Sequence, residues 1–170
     1  MRAKKLSARF KEIAGFVGDG ESVADIGTDH ALLPIYLVRE GVSPFAILTD
    51  ISPGPLERAR LGVEKAVSMR VASVFDMRLG DGLTVLEKSE VDTIIIAGIG
   101  AETIVSILEA DPGKAGSFRK YILQPRTKTK ILDAWLKESG WRILEKTTVE
   151  ERGRLCDIIV CAPKEGNYDR

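Results

Sequence analysis

Apolar positions along the chain alternate between short unbroken runs and amphipathic stretches. In LSARFKEIAGFV, Leu6, Phe10, Ile13, Ala14 and Val17 recur at helical spacing with Ser7 available as a cap, which predicts an N-terminal helix over about 6–17. SVADIG reads as a short buried strand, HALLPIYLVRE as a helix closed by Gly41, and FAILTD as a second strand ending in Asp50. Gly54-Pro55 starts a helix whose Leu56, Ala59, Val63 and Ala66 share one face, and a third strand is expected within VASVFDMR. VDTIIIAG is the clearest buried strand and AETIVSILEA its helix. YILQP then precedes the helix TKTKILDAWLKESG, which Gly140 ends. WRILEKTTVEE and RLCDIIVCAP flank Arg152-Gly153 and read as an antiparallel pair.

Repeated strand and helix alternation over 170 residues predicts one α/β domain, residues 1–170. The order resembles the Rossmann-like class I methyltransferases: a seven-stranded, mostly parallel sheet with a terminal antiparallel strand and helices on both faces. Such folds bind ligands at the carboxyl ends of their parallel strands. The loops expected there carry Asp25, Gly27 and Asp29; Asp50 and Ile51; Asp81 and Gly82; and Ala97, Gly98, Ile99 and Gly100.

Charge decides which cofactor suits these loops. Asp50 stands at about the distance beyond Gly27 expected of a carboxylate that holds ribose hydroxyls, in dinucleotide and S-adenosylmethionine enzymes alike. A dinucleotide loop, G-x-G-x-x-G, requires glycine at 29 and 32, where this chain has Asp29 and Leu32. A carboxylate beside a pyrophosphate is repelled, whereas the sulfonium and ammonium of S-adenosylmethionine are attracted. Asp29 also suits a helix N-cap, with or without a ligand contact. Asp81 suits either adenine recognition or an ordinary Gly-Asp-Gly turn. His30 reads as a packed or ligand-contacting residue rather than a general base, and Trp135 and Trp141 read as anchors in the core.

Composition removes several classes. Twenty-five basic and 25 acidic residues cancel, so there is no protein-wide basic field for nucleic acid. Arg2, Lys4, Lys5, Arg9 and Lys11 crowd the N-terminus, and the window from Pro112 to Leu132 holds Lys114, Arg119, Lys120, Arg126, Lys128 and Lys130 without a carboxylate. These clusters form either one local basic face or two solvated surfaces that never meet. Cys156 and Cys161 sit on opposite faces of one expected strand, which disfavours a disulfide. With His30 the sole histidine, no structural metal is expected. No secretory signal or membrane span is legible, so the expected location is cytoplasmic.

DIGTDHALLP, Gly54-Pro55, GDGL, AGIG and LQP, in this order, resemble the bacterial tRNA (adenine-22) N1-methyltransferase family over essentially the whole chain. The resemblance implies an enzyme that uses S-adenosylmethionine to form N1-methyladenosine in the D-arm region of tRNA. It implies that Gly27, Asp29 and His30 line the donor site, that Asp50 holds the ribose, and that Asp81 and Gly82 flank the cofactor's adenine. Gly98 to Gly100 would border the reacting methyl, and Asp29 is the expected catalytic contributor. Arg9, Arg126 and neighbouring basic residues, Arg2, Lys4, Lys5 and Lys128, are the candidates for RNA phosphates. The chain departs from the family pattern in reading Gly98-Ile99-Gly100-Ala101 where Gly-Met-Gly-Gly is usual, and in stopping at Arg170 before the usual helical C-terminal extension. Other classes consistent with these residues are a small-molecule methyltransferase and a non-catalytic module that binds S-adenosylmethionine or RNA; an NAD oxidoreductase is disfavoured by Asp29.

Overall fold

A computed structural model describes residues 6–164. The sequence alternation becomes a seven-stranded sheet of order β3-β2-β1-β4-β5-β7-β6, formed by β1 (Val23–Ile26), β2 (Ala46–Asp50), β3 (Phe75–Leu79), β4 (Thr93–Ile99), β5 (Lys120–Pro125), β6 (Arg142–Glu151) and β7 (Arg154–Ala162). The first five strands run parallel; β7 is antiparallel to both β5 and β6 and lies between them. The sheet is therefore mostly parallel, and the last strand in the chain is the antiparallel one. Chain order reverses between β1 and β4, which opens the ligand crevice expected of open α/β sheets.

The central strands β1, β2, β4 and β5 are largely buried on both faces, and their alternate residues feed two apolar layers. Ile94 and Ile96 of β4 pack with Leu123, Leu132 and Leu136 beneath α5 (Ala101–Ala110) and α7 (Thr129–Glu138). Ile95 packs with Ile122, Leu48 and Val63 beneath α1 (Ala8–Gly15), α2 (Leu32–Arg39) and α3 (Pro53–Ala66). Along β5 the same alternation sends Tyr121 and Leu123 to the first layer and Ile122 to the second, so Gln124 faces the α1 side. Trp135 and Trp141 pack as anchors around Tyr121, with ring centroids 5.6 Å apart between the tryptophans and 4.9 Å from Trp141 to Tyr121.

Most elements match the sequence pattern, with two short helices added and one correction. β3 occupies the second half of VASVFDMR, from Phe75, as expected, and follows a short helix, α4 (Met69–Ala72). A second short helix, α6 (Pro112–Ala115), is capped by Asp111 accepting from the Lys114 N–H at 2.9 Å. Helix α2 starts later than His30, and its N-cap is Ala31 with no side-chain cap, so Asp29 does not cap it. Ser7 does cap α1, accepting from the Phe10 N–H. Cys156 and Cys161 are free thiols, the second buried and pushed up to about 12 by that burial.

Candidate active site

The turn after β1 shows why an aspartate replaces the second glycine. Gly27 has φ +77 with nothing within 4 Å of where a Cβ would stand, and Asp29 and Ala31 are also left-handed, at φ 47 and 55. Aspartate is one of the few side chains that tolerate this conformation. Asp29 therefore does the backbone work of the missing glycine while presenting a carboxylate. The Gly27 and Thr28 N–H groups both donate to the Thr49 carbonyl, at 2.9 and 3.0 Å, which ties this turn to β2.

The Asp29 carboxylate is half exposed and held by a residue that sequence spacing did not single out. Arg58 of α3 donates to Oδ1 through Nε at 3.1 Å and Nη2 at 2.7 Å. Oδ2 stays outside that pair, 3.7 Å from His30 Nε2, and the His30 side chain is itself about half exposed. Arg58 offsets much of the negative charge that the sequence alone assigns to Asp29. The net attraction for a cation therefore rests more on Asp25 and Asp50.

Those two carboxylates have no basic partner among the described residues. Asp25 is the penultimate residue of β1, on the face toward α2 and α3, and is 8% exposed. Burial pushes its carboxyl up to about 6; the Asp50 charge adds to the rise, and the Thr28 hydroxyl opposes it. Asp50 accepts the Ser52 N–H through Oδ1 at 3.0 Å, leaving Oδ2 free. Beside Asp50, Ile51 is 66% exposed, and Leu79, in register with Asp50 on β3, is 57% exposed. An exposed apolar pair at adjacent strand ends offers a surface for a flat heterocycle; Leu79 was missed because its strand reads as ordinary alternation.

The turn after β3 is tight. The Gly80 N–H donates to the Asp50 carbonyl at 2.9 Å, and a Cβ on Gly80 would stand 2.1 Å from Val85 Cγ1, so only glycine fits. Asp81 is exposed and its carbonyl receives the Thr84 N–H and hydroxyl, so the segment is a genuine turn whose Asp81 side chain stays available. Gly82 is buried against Ile107.

Beyond β4 the backbone of Ala97, Gly98, Ile99 and Gly100 leads into α5, with Gly100 as its N-cap. Gln124, from the LQP segment, organises this loop from beneath. Its Oε1 accepts the Gly98 N–H at 3.1 Å and Arg9 Nη1 at 2.5 Å, while its Nε2 donates to the Pro125 carbonyl at 2.8 Å. Gln124 is 2% exposed, and a buried amide with both its oxygen and its nitrogen hydrogen-bonded fixes its neighbours. Arg9 also pairs with Glu151 of β6 through Nε at 3.3 Å, and its own N–H donates to Glu151 Oε1 at 3.2 Å. Helix α1 is thus pinned across the end of the sheet.

The basic candidates divide accordingly. Arg2, Lys4 and Lys5 lie outside the described residues. Arg9 is engaged as above, and Lys128 pairs with Glu102 at 2.8 Å. Arg126 is exposed, and its backbone N–H donates to the Ile99 carbonyl at 2.7 Å. Arg9 and Arg126 do meet, lining a cavity of about 540 Å³ that begins at Gly98. No group of three or more His, Cys, Asp or Glu able to hold a metal ion exists among the described residues, and no described helix is long and apolar enough to cross a membrane.

Comparison with known proteins fits this geometry. The methyltransferase-domain family matches residues 6–159. The tRNA (adenine(22)-N(1))-methyltransferase of Bacillus subtilis is 35% identical over 171 residues, covering 99% of this chain and 71% of that protein. The chain belongs to this methyltransferase family. A solved Streptococcus pneumoniae member, a putative tRNA methyltransferase in complex with S-adenosyl-L-methionine, superposes with a TM-score of 0.87 at 33% identity, covering 96% of this chain and 77% of that one. M. capricolum TrmK, in complex with S-adenosyl-homocysteine, gives a TM-score of 0.82 at 31% identity, covering 94% of this chain and 69% of that one. These members share the fold of this chain over nearly its whole length.

Proposed function

We propose that the chain is a cytoplasmic S-adenosylmethionine-dependent tRNA methyltransferase that forms N1-methyladenosine. The observation that carries this reading is the pair of carboxylates, Asp25 and Asp50, on the adjacent parallel strands β1 and β2 with no basic partner among the described residues, beside β4, whose Gly98 lines a guanidinium-rich cavity. The residues suit the donor. Open space lies above Gly27, Asp25 offers a charge that burial leaves in need of a cation, Asp50 keeps one oxygen for a ribose diol, and Ile51 and Leu79 offer apolar cover. When bound, S-adenosylmethionine supplies an electrophilic methyl on a sulfonium.

Adenine N1 carries its own lone pair, so the protein needs no strong base, and alignment of the attacking nitrogen supplies most of the acceleration. The Gly98 backbone, held by Gln124, sets the floor on which the base lies. We assign Asp29 to the charge that develops on the adenine: Arg58 fixes Oδ1, and Oδ2 is left to face the base or to take a hydrogen bond from its N6. The target nucleotide leaves its stack to reach this crevice.

Incubation with labelled donor and unmodified tRNA, followed by mass mapping of the modified base, tests the reading. N1-methyladenosine is the expected product. A folded, donor-binding protein that leaves tRNA unmodified would overturn it.

A further inference from the structure

The cavity beyond Gly98 has a wall that donor binding does not use. Arg126, Arg152 and Arg154 line it, all three are exposed, and none pairs with a carboxylate among the described residues. Glu151, the acidic residue of the lining, is already taken by Arg9. The remaining surface includes Pro125 and Leu155, the latter 77% exposed. Guanidinium forks around an apolar floor match a polynucleotide, whose phosphates take bidentate hydrogen bonds while ribose and base lie on apolar contacts.

We propose that Arg126, Arg152 and Arg154 form a phosphate clamp that grips the RNA backbone on either side of the nucleotide entering toward Gly98. The proposal rests on the tRNA methyltransferase reading. Two rigid supports present the three side chains. Arg126 follows β5 on a loop stitched to β4 by the Arg126 N–H to Ile99 carbonyl bond. Arg152 and Arg154 flank Gly153, and Arg152 and Gly153 are both left-handed, at φ 51 and 74, as a two-residue hairpin turn requires. Three cations around one cavity repel one another until an anion enters, so the free protein holds this wall ready for phosphate.

The purified wild-type chain, the Arg126→Ala variant, the Arg152→Ala/Arg154→Ala variant, the triple variant and Arg39→Ala are compared for tRNA affinity at several salt concentrations, donor affinity and methyl transfer. Arg39 ends α2, on the side where β2 begins and away from the carboxyl ends of the parallel strands, and serves as the charge control. Each clamp guanidinium removed weakens tRNA binding about 5- to 10-fold and lowers the salt slope by just under one, with donor affinity unchanged. In methyl transfer the loss falls on KM for tRNA, with kcat within about twofold. A triple variant that loses no more tRNA affinity than Arg39→Ala overturns the clamp, and if it still methylates tRNA the functional reading stands. Wild-type protein that binds tRNA through these arginines but transfers no methyl overturns the functional reading and leaves the clamp. Wild-type protein that binds no tRNA overturns both.

Discussion

At the ends of β1 and β2 the charged side chains without a counter-ion among the described residues are carboxylates, Asp25 and Asp50, whereas at the ends of β5 and β7 they are guanidiniums, Arg126 and Arg154. One end of the sheet therefore has an acidic side, at β1 and β2, and a basic side, at β5 and β7, with β4 between them. Gly98 lies where they join. The two sides are also built differently. The acidic side uses residues near in sequence to their own strand ends, while the junction is held by Arg9 reaching 115 residues to Gln124 and 142 residues to Glu151.

The junction is where one substitution should do most. Gln124→Leu keeps about the same volume but leaves the Gly98 N–H and Arg9 without their shared acceptor, at about 1–3 kcal/mol for each polar group left unsatisfied. We expect unfolding free energy to fall by about 2 kcal/mol in denaturant melts and kcat to fall at least 30-fold, with donor affinity nearly preserved. Gln124→Glu keeps an acceptor for both and should recover much of the loss. Equal damage to donor binding would show that the two sides of the crevice are not separable at Gln124.

Asp25 gives the next effect, confined to the acidic side. Its ordinary value is 3.8 and burial raises it to about 6, so the folded state binds this proton more tightly than the unfolded chain. The associated stability is complete below pH 4 and is lost as pH rises through about 6, amounting to roughly 3 kcal/mol at neutral pH. Asp25→Asn should therefore be more stable than wild type at pH 7 and close to it at pH 4, measured by urea unfolding, while binding the donor at least 10-fold more weakly. A wild-type protein no less stable at pH 7 than at pH 4, relative to the variant, would remove the burial cost from the account.

The same contrast explains how much was legible in the sequence. Strands and helices followed from alternation because the central strands are buried on both faces, and Asp50, Gly80 and Gly98 were visible as acids and glycines at strand ends. Asp29 was visible too, but its role as cap was not borne out, since the turn keeps it left-handed and moves the cap to Ala31. Arg58 reads as one more charge on an amphipathic helix; only α3 packing over the β1 turn makes it a partner. Arg152 reads as a turn residue and Arg154 as the start of a strand, because their shared cavity depends on β7 inserting between β5 and β6, a pairing no local pattern encodes.

Asp29 gives the smallest effects on stability and separates backbone from carboxylate. Its φ of 47 suits glycine, and the Arg58 pair is half exposed, worth at most about 1 kcal/mol. Asp29→Gly should therefore melt within about 1 kcal/mol of wild type, whereas Asp29→Val, β-branched at a left-handed position, should lose about 1–2 kcal/mol. Asp29→Asn keeps both the conformation and the size but not the charge. If Oδ2 stabilises the developing positive charge, Asp29→Asn lowers kcat about 10-fold while its melting and donor affinity stay near wild type. Full methyl transfer by Asp29→Asn would leave the residue as a turn former alone, and the acidic side of the crevice would then act on the donor without reaching the adenine.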